Sequence, residues 1–221
     1  MKNVPFREPI GGLQFISQRT RPNISHAVSI VSSFCSDPGL PHWTAAKRIL
    51  RYLKGTKNYK LTYRKDAAFT GYSDADWGND AETRLSISGY VFLQRGGAVS
   101  WSSKRQSTVA LSTTEVEYMA LPMASQEAVW WMGFLRELYG INDSLVINCD
   151  NKSSICLAEK ETGYPVRTKH IDFRHHFVRE QVELKAIKFK LVASNQQAAD
   201  ILTKALRLED RKMLGVLQIP T

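Results

Sequence analysis

Residues 68–75, AFTGYSDA, alternate apolar and polar positions as a half-buried strand does, and they carry Asp74 near their end. YKLTY at 59–63 precedes them with the same period, and Ser88–Leu93 and Ala98–Ser102 follow as strands. Arg95-Gly96-Gly97 between the last two is a hairpin turn, so this region reads as meandering strands. LVINC at 145–149 differs. It is a short apolar run, the mark of a strand buried on both faces and paired in parallel. Between the two regions, Ser112-Thr113-Thr114 offers an N-cap to a long helix reaching about Leu138. Residues 151–160 and 168–184 read as helices, IKFKLV (187–192) as a strand and 196–206 as a last helix. Strands, then helix, strand, helices, strand and helix make an α/β layer on a mixed sheet.

Working back toward the start, the period becomes helical. Pro22 suits a first helical turn, with Ile24, Ala27, Val28 and Val31 at helical spacing after it. Asp37-Pro38-Gly39 and Pro41 end that helix. A second is expected over 42–54, with Trp43, Ala46, Ile49, Leu50 and Leu53 as its apolar stripe and Gly55 as C-cap. Lys47, Arg48, Arg51 and Lys54 lie off that stripe. Three units are thus expected: a small basic helical segment over 1–65, an α/β domain over 66–206 and a C-terminal tail over 207–221.

Charge follows this division. The chain of 221 residues carries a formal net charge of +9, but residues 1–65 hold 12 Lys+Arg against 2 Asp+Glu, while residues 66–221 hold 18 against 19. All the excess lies in the first third, and a polyanion such as nucleic acid is its natural partner. Hydrophobic residues at 43% and charged residues at 23% are ordinary globular values and argue against disorder. Cys35, Cys149 and Cys156 are too few and too scattered for a disulfide scaffold or a Cys-x-x-Cys zinc site, so a reducing compartment is expected. No apolar run approaches the ~18 residues of a membrane span. The opening MKNVPFREPIGG lacks the apolar core of a secretory leader. The expectation is an intracellular protein, cytoplasmic or nuclear, without a membrane partner.

Four acids stand at the ends of these elements: Asp74 late in the first long strand, Glu117 in the first turn of the long helix, Asp150 after LVINC and Asp200 on the last helix. Carboxylates scattered in sequence but converging at element ends describe a hard-cation site, and Mg²⁺ takes such oxygen ligands together with substrate phosphates. Asp150 follows a buried strand, where an unpaired charge is costly. Asp74 and Asp76 are two apart on a strand and share a face, so geometry does not separate them. Glu115 and Glu117 do separate, being roughly 200° apart around a helix. Glu117 heads the row Leu121, Ala124, Ala128, Trp131, Leu135, which is apolar throughout, so Glu117 is the sheet-facing acid.

Seven motifs, YSDADW (72–77), SGYVF (88–92), GGAVSWSSKRQ (96–106), LSTTEVEYMAL (111–121), NCDNKSS (148–154), RTKHIDFRHHFVRE (167–180) and QQAADILTKAL (196–206), resemble in order the ribonuclease H domain of copia-type LTR retrotransposon Pol polyproteins. RTRPNISHAV and HWTAAKRILRYLKGTKNYKLTY are similar to the end of the reverse transcriptase that precedes it. The resemblance implies a ribonuclease H-like five-stranded mixed sheet flanked by helices, and a metal-dependent endonuclease that cuts the RNA strand of RNA–DNA hybrids. It makes the first Asp of YSDADW, Asp74, the catalytic member, and adds Glu117, Asp150 and Asp200. In such enzymes two Mg²⁺ ions, for which Mn²⁺ substitutes, surround one phosphate. Asp74 would bridge both, Glu117 and Asp150 would complete the leaving-group site, and Asp200 the nucleophile site. The rest of a reverse transcriptase or another protein is the implied protein partner. Lys104, Arg105, Thr113, Thr114, Asn151 and Lys152 should rim the acids and meet phosphates and 2′-hydroxyls. Lys47, Arg48, Arg51 and Lys54 should grip the backbone farther off.

Two departures stand out. LVASNQQAAD lacks the histidine that bacterial-type enzymes carry before the last helix, and Pro122 lies inside the long helix, where it costs roughly 3 kcal/mol or a kink that could move Glu117. Without that histidine, turnover would rely on other groups, while Pro122 and the lack of a Tyr-x-Asp-Asp polymerase motif motivate the competing reading, an inactive retroelement remnant that binds nucleic acid or protein. A DDE-type integrase would show its acids in the order Asp, Asp, Glu, whereas this chain runs Asp, Glu, Asp, Asp. His170, Asp172, His175 and His176 could suggest zinc, but Ile171, Phe173, Phe177 and Val178 make an ordinary amphipathic helix of that stretch. The five tryptophans are expected in the core, with Trp130 and Trp131 on the long helix's buried side.

Overall fold

Among the described residues the strands run Tyr59–Leu61 (β1), Thr70–Asp76 (β2), Ile87–Gln94 (β3), Gly97–Arg105 (β4), Leu145–Cys149 (β5), Ile187–Leu191 (β6) and Val216–Gln218 (β7). A computed structural model describes residues 4–65, 68–77, 84–110, 112–159, 169–205 and 212–218, with the backbone alone for 169–175 and 218. Five strands form one sheet in the order β4-β3-β2-β5-β6. β2, β3 and β4 are antiparallel neighbours, while β5 joins β2 in parallel and β6 joins β5 in parallel. This is the mixed α/β sheet that the alternating and continuous apolar runs predict.

The helices are Arg7–Arg19 (α1), Ser25–Ser32 (α2), Leu40–Gly55 (α3), Thr113–Tyr139 (α4), Lys152–Glu159 (α5), Lys169–Glu183 (α6) and Asp200–Thr203 (α7). Ser112 caps α4 by accepting a hydrogen bond from the Glu115 N–H at 3.2 Å, and Gly140, at φ 67°, ends it in the left-handed region. The helix runs on through Pro122, whose ring is buried. The apolar row does hold α4 on the sheet: Leu121, Ala124 and Ala128 pack with Phe92, Ile147 and Ile187. Glu127 pins the same face, taking hydrogen bonds from Ser100, Tyr90 and Trp131.

Side chains alternate across β3. Phe92 faces the α4 layer, while Val91 and Leu93 face a second core with Ala199 just before the last helix, Leu202 within it, and Leu214 and Val216 beyond it. The segment expected to be only a tail therefore contributes to a core. Val216–Gln218 pairs with Tyr59–Leu61 in a separate two-stranded ribbon, which also takes YKLTY out of the main sheet. The expected helix over 196–206 is also shorter. Gln197 is extended, buried, and donates to the Ser73 carbonyl at 3.0 Å, so the helix starts only at Asp200; Lys204 is extended again. Residue 206 lies outside the described residues.

The helical segment has its own core of Phe6, Ile10, Leu13, Ile24, Val28, Ala46 and Ile49, while Leu50 of the expected stripe is exposed. It docks on the sheet's edge, where the Trp101 indole donates to the Ser17 carbonyl at 2.8 Å. The expectation that the tryptophans lie in the core holds for Trp43, Trp101 and Trp131, which pack against the three cores, and fails for the other two. Trp77 and Trp130 are exposed, Trp130 stacking on Phe134 at 5.4 Å, and Trp43, Trp101 and Trp131 are half-buried. Among the described residues no helix is long and apolar enough to cross a membrane, and Cys35, Cys149 and Cys156 are free.

Candidate active site

Asp74 is fully buried in the middle strand of the sheet. Its cross-strand neighbour is Gly89. A Cβ on Gly89 would stand 2.8 Å from Thr203 Cγ2 and 2.9 Å from Leu202 Cβ, so the bare glycine is what lets α7 lie on the sheet. The Thr203 hydroxyl then donates to Asp74 Oδ2. Asp150 follows β5, the parallel neighbour of β2, and Asp200 opens α7. Carboxylate oxygens of Asp74, Asp150 and Asp200 all lie within 4.8 Å of one another, the one such acidic, Cys or His grouping among the described residues. Asp76, one pleat on, is not part of it; one of its carboxylate oxygens is buried without a hydrogen-bond partner. Of the two acids that strand geometry leaves open, Asp74 is the one that meets Asp150 and Asp200.

Glu117 is 9% exposed on the first turns of α4, against a half-buried Glu115, as the helical phase predicts. Burial raises its carboxyl pKa to about 9, with Asp74, Asp150 and Asp200 adding to the rise and Lys204 opposing it. Asp74 rises to about 6, again chiefly by burial, with Lys204 and the Thr203 hydrogen bond pulling the other way. The four acids therefore share one electrostatic site even though Glu117 is not within the three-acid cluster.

Lys204 joins the site from within the motif QQAADILTKAL, of which the resemblance makes only Asp200 a site residue. Its ammonium lies 2.8 Å from Asp200 Oδ1 and 3.4 Å from both oxygens of Asp74. Burial lowers its pKa, but the carboxylates of Asp74 and Asp200 outweigh that and raise it. The spacing Asp200–Lys204, four apart in a helical pattern, is a further hint in the sequence. Thr203 and Gln197 lie in the same motif, but their roles are not readable from it, since they depend on how closely α7 approaches the sheet.

The expected rim residues divide. Lys104 and Arg105 are exposed at the end of β4 and line a cavity of about 270 Å³ with Gln106, Met119 and Met123. Thr113 is exposed and Thr114 half-buried on the first turn of α4, and Lys152 is exposed at the start of α5. Asn151 has a structural role: its Oδ1 accepts the Ser154 N–H at 3.0 Å, capping α5. On α3, Arg48, Arg51 and Lys54 are exposed, whereas Lys47 is half-buried with its ammonium over the Trp43 ring at 5.8 Å. Of the suspected zinc ligands, His176 is exposed, and the side chains of His170, Asp172 and His175 lie outside the described residues.

No protein-family profile matches the sequence. Individual relatives do. Over 207 residues the chain is 44% identical to the retrovirus-related Pol polyprotein from transposon TNT 1-94 of Nicotiana tabacum, covering 93% of this chain and 16% of that protein. It is 53% identical over 132 residues to secreted RxLR effector protein 161 of Plasmopara viticola, covering 59% of this chain and 93% of that one. Among solved structures, the foamy viral protease-reverse transcriptase bound to double-stranded DNA matches with a TM-score of 0.53 at 12% identity, over 86% of this chain and 33% of that one. LC11-RNase H1 matches with a TM-score of 0.44 at 16% identity, over 61% of this chain and 91% of that one. The sequence motifs, the sheet order and the transposon relatives agree: the chain belongs to the retrovirus-related Pol polyproteins of copia-type retrotransposons and has their ribonuclease H-like fold.

Proposed function

We propose that the chain is a metal-dependent endonuclease that hydrolyses the RNA strand of RNA–DNA hybrids, with Asp74, Glu117, Asp150 and Asp200 as its catalytic acids. The observation that carries this reading is the meeting of Asp74, Asp150 and Asp200, from three separate elements, within 4.8 Å at the end of a ribonuclease H-like sheet. An all-oxygen donor set fits Mg²⁺ or Mn²⁺ and suits neither a thiolate-seeking nor an imidazole-seeking metal. Bound there, such ions would activate a water and stabilise the leaving 3′ oxygen.

The chain's own groups prepare that chemistry. Thr203 fixes the Asp74 carboxylate through its hydroxyl, and β2, β5 and α7 set the spacing of the three aspartates. Burial keeps Glu117 protonated at neutral pH, so the metal-free pocket avoids full repulsion among its carboxylates. Taking up a divalent cation means releasing that proton. Lys104, Arg105 and Lys152 stand exposed to meet the hybrid's phosphates.

A labelled RNA–DNA hybrid incubated with Mg²⁺, Mn²⁺ or EDTA tests the reading. RNA-strand cleavage should require the metal, and Asp150→Asn should reduce it by more than the roughly 100-fold typical of removing an outer-shell partner, with the fold intact. Full activity in Asp150→Asn would sink the site. Hybrid binding without cleavage by the wild type would favour the inactive-remnant reading.

A further inference from the structure

We propose that Lys204 is a tethered counter-ion that holds the place of a divalent cation in the acid cluster and must be displaced when one binds. The inference rests on the proposed metal site and goes beyond it by naming the residue that sets its affinity.

The geometry is that of a competitor. Oδ1 of Asp200 takes the ammonium at 2.8 Å, and both oxygens of Asp74 lie 3.4 Å from it. Asp74 Oδ2 is engaged by Thr203 as well. These are oxygens of two of the three carboxylates that offer a cation its ligands. Asp74 is fully buried, so an unpaired charge there is costly. A lysine ammonium at this position meets that need without a metal.

Lys204 is also built to leave. It sits just past the last residue of α7 with extended backbone, and its side chain keeps 35% of its exposure. A flexible four-carbon stem can swing a compact ammonium to solvent at little cost. Asp74 and Thr203, by contrast, are fixed in the sheet and in the helix packed on it. One partner of the ion pair is rigid and the other mobile, which is what exchange for a different cation requires. Two cations that share the same ligands oppose each other's binding, and by linkage the effect is reciprocal.

The test measures metal binding, not turnover. Wild type, Lys204→Met and Lys204→Arg are titrated with Mn²⁺ by calorimetry and by the paramagnetic resonance of free Mn²⁺, and each is melted in EDTA. Lys204→Met should bind Mn²⁺ about tenfold more tightly, within the 5- to 150-fold range of ordinary couplings. It should also melt at a lower temperature than wild type in EDTA, with Mn²⁺ closing that gap. Lys204→Arg keeps the charge and should match the wild type in both measurements. If Lys204→Met does not fold in EDTA, Lys204→Gln, which keeps a hydrogen-bond donor for the carboxylates, gives the same comparison. Binding by the neutral variant that equals or trails the wild type would overturn the displacement model while leaving the metal site standing. Mn²⁺ binding by neither protein, or binding by wild type that survives Asp150→Asn, would overturn the site itself and the inference with it.

Discussion

The acid cluster at the end of the sheet and the basic face of α3 carry opposite charge, but what separates them physically is water. Asp74 and Glu117 are buried, and each has its protonation shifted by its surroundings. Arg48, Arg51 and Lys54 are exposed on a helix that belongs to another core. A buried charge acts through position: moving or neutralising one group changes every neighbour, because low dielectric amplifies each interaction. An exposed charge acts through number, and salt screens it. Substitutions in the two regions should therefore differ in kind, the first being specific to one residue and the second roughly additive.

The sharpest way to break the comparison lies on α4. Glu117→Gln should lower RNA-strand cleavage by more than about 100-fold, whereas Glu115→Gln, two residues away and half-buried, should change it only a few-fold. Equal losses would mean that position on the helix does not matter and that the acids act as a diffuse charge.

Next in size is a dependence on pH that only a buried carboxyl can produce. The Glu117 pKa is raised from 4.5 to about 9, so between those values the folded protein holds one proton more than the unfolded chain. Stability then falls as pH rises, is greatest on the acid side, and is lost through pH about 9. In EDTA, from pH about 7 to about 8.5, this single group should cost about 1.4 kcal/mol per pH unit. Saturating Mg²⁺, which holds the carboxylate ionised, should flatten the slope, as should Glu117→Gln. Urea midpoints across that range check this, and a slope unchanged in Glu117→Gln would remove the buried acid as its cause.

Much of this is legible in the sequence, and the failures have a common cause. Period-2 runs mark β2, β3 and β4, the continuous run marks β5, and the apolar row below Glu117 predicts its burial. Each depends on local periodicity. What escapes depends on two distant segments touching. Gly89 reads as an ordinary strand residue until α7 is seen against it, and only then do Thr203 and Lys204 reach Asp74. Val216 has no partner in the sequence that points to Leu61. An aromatic ring on a helix is expected inside, yet Trp130 is exposed and stacks on Phe134 of its own helix. The choice of Asp74 over Asp76 comes from resemblance and is supported here by geometry.

A third, smaller effect probes the approach of α7. Gly89→Ala places a methyl against the rigid Cβ of Leu202 at 2.9 Å, and such overpacking typically costs about 1–3 kcal/mol. Thermal melts should show that loss. Mn²⁺ binding should weaken with it, since Thr203 and Asp200 move away together from Asp74. A variant destabilised but with wild-type Mn²⁺ affinity would show that the seating of α7 does not set the acid spacing.

The smallest effect on chemistry belongs to the basic face. Replacing Lys47, Arg48, Arg51 and Lys54 with Gln should weaken hybrid binding whatever its sequence and leave cleavage at saturating substrate nearly unchanged. Each phosphate that is no longer neutralised should flatten the plot of log K against log salt by about 0.9 on duplex DNA, and a hybrid should behave comparably. The structure sharpens the expected count. Lys47 is half-buried with its ammonium over Trp43, which leaves Arg48, Arg51 and Lys54 as the freely presented cations. The slope should therefore drop by roughly 2–3 units. Lys47→Gln alone should hardly alter it, but should destabilise the helical unit slightly by removing the cation–π interaction, worth about 0.5–1 kcal/mol at an exposed site. Titrations of a labelled hybrid at several salt concentrations separate the outcomes. Equal slopes for wild type and the quadruple variant would mean that the basic helix keeps its charge for some purpose other than gripping this substrate.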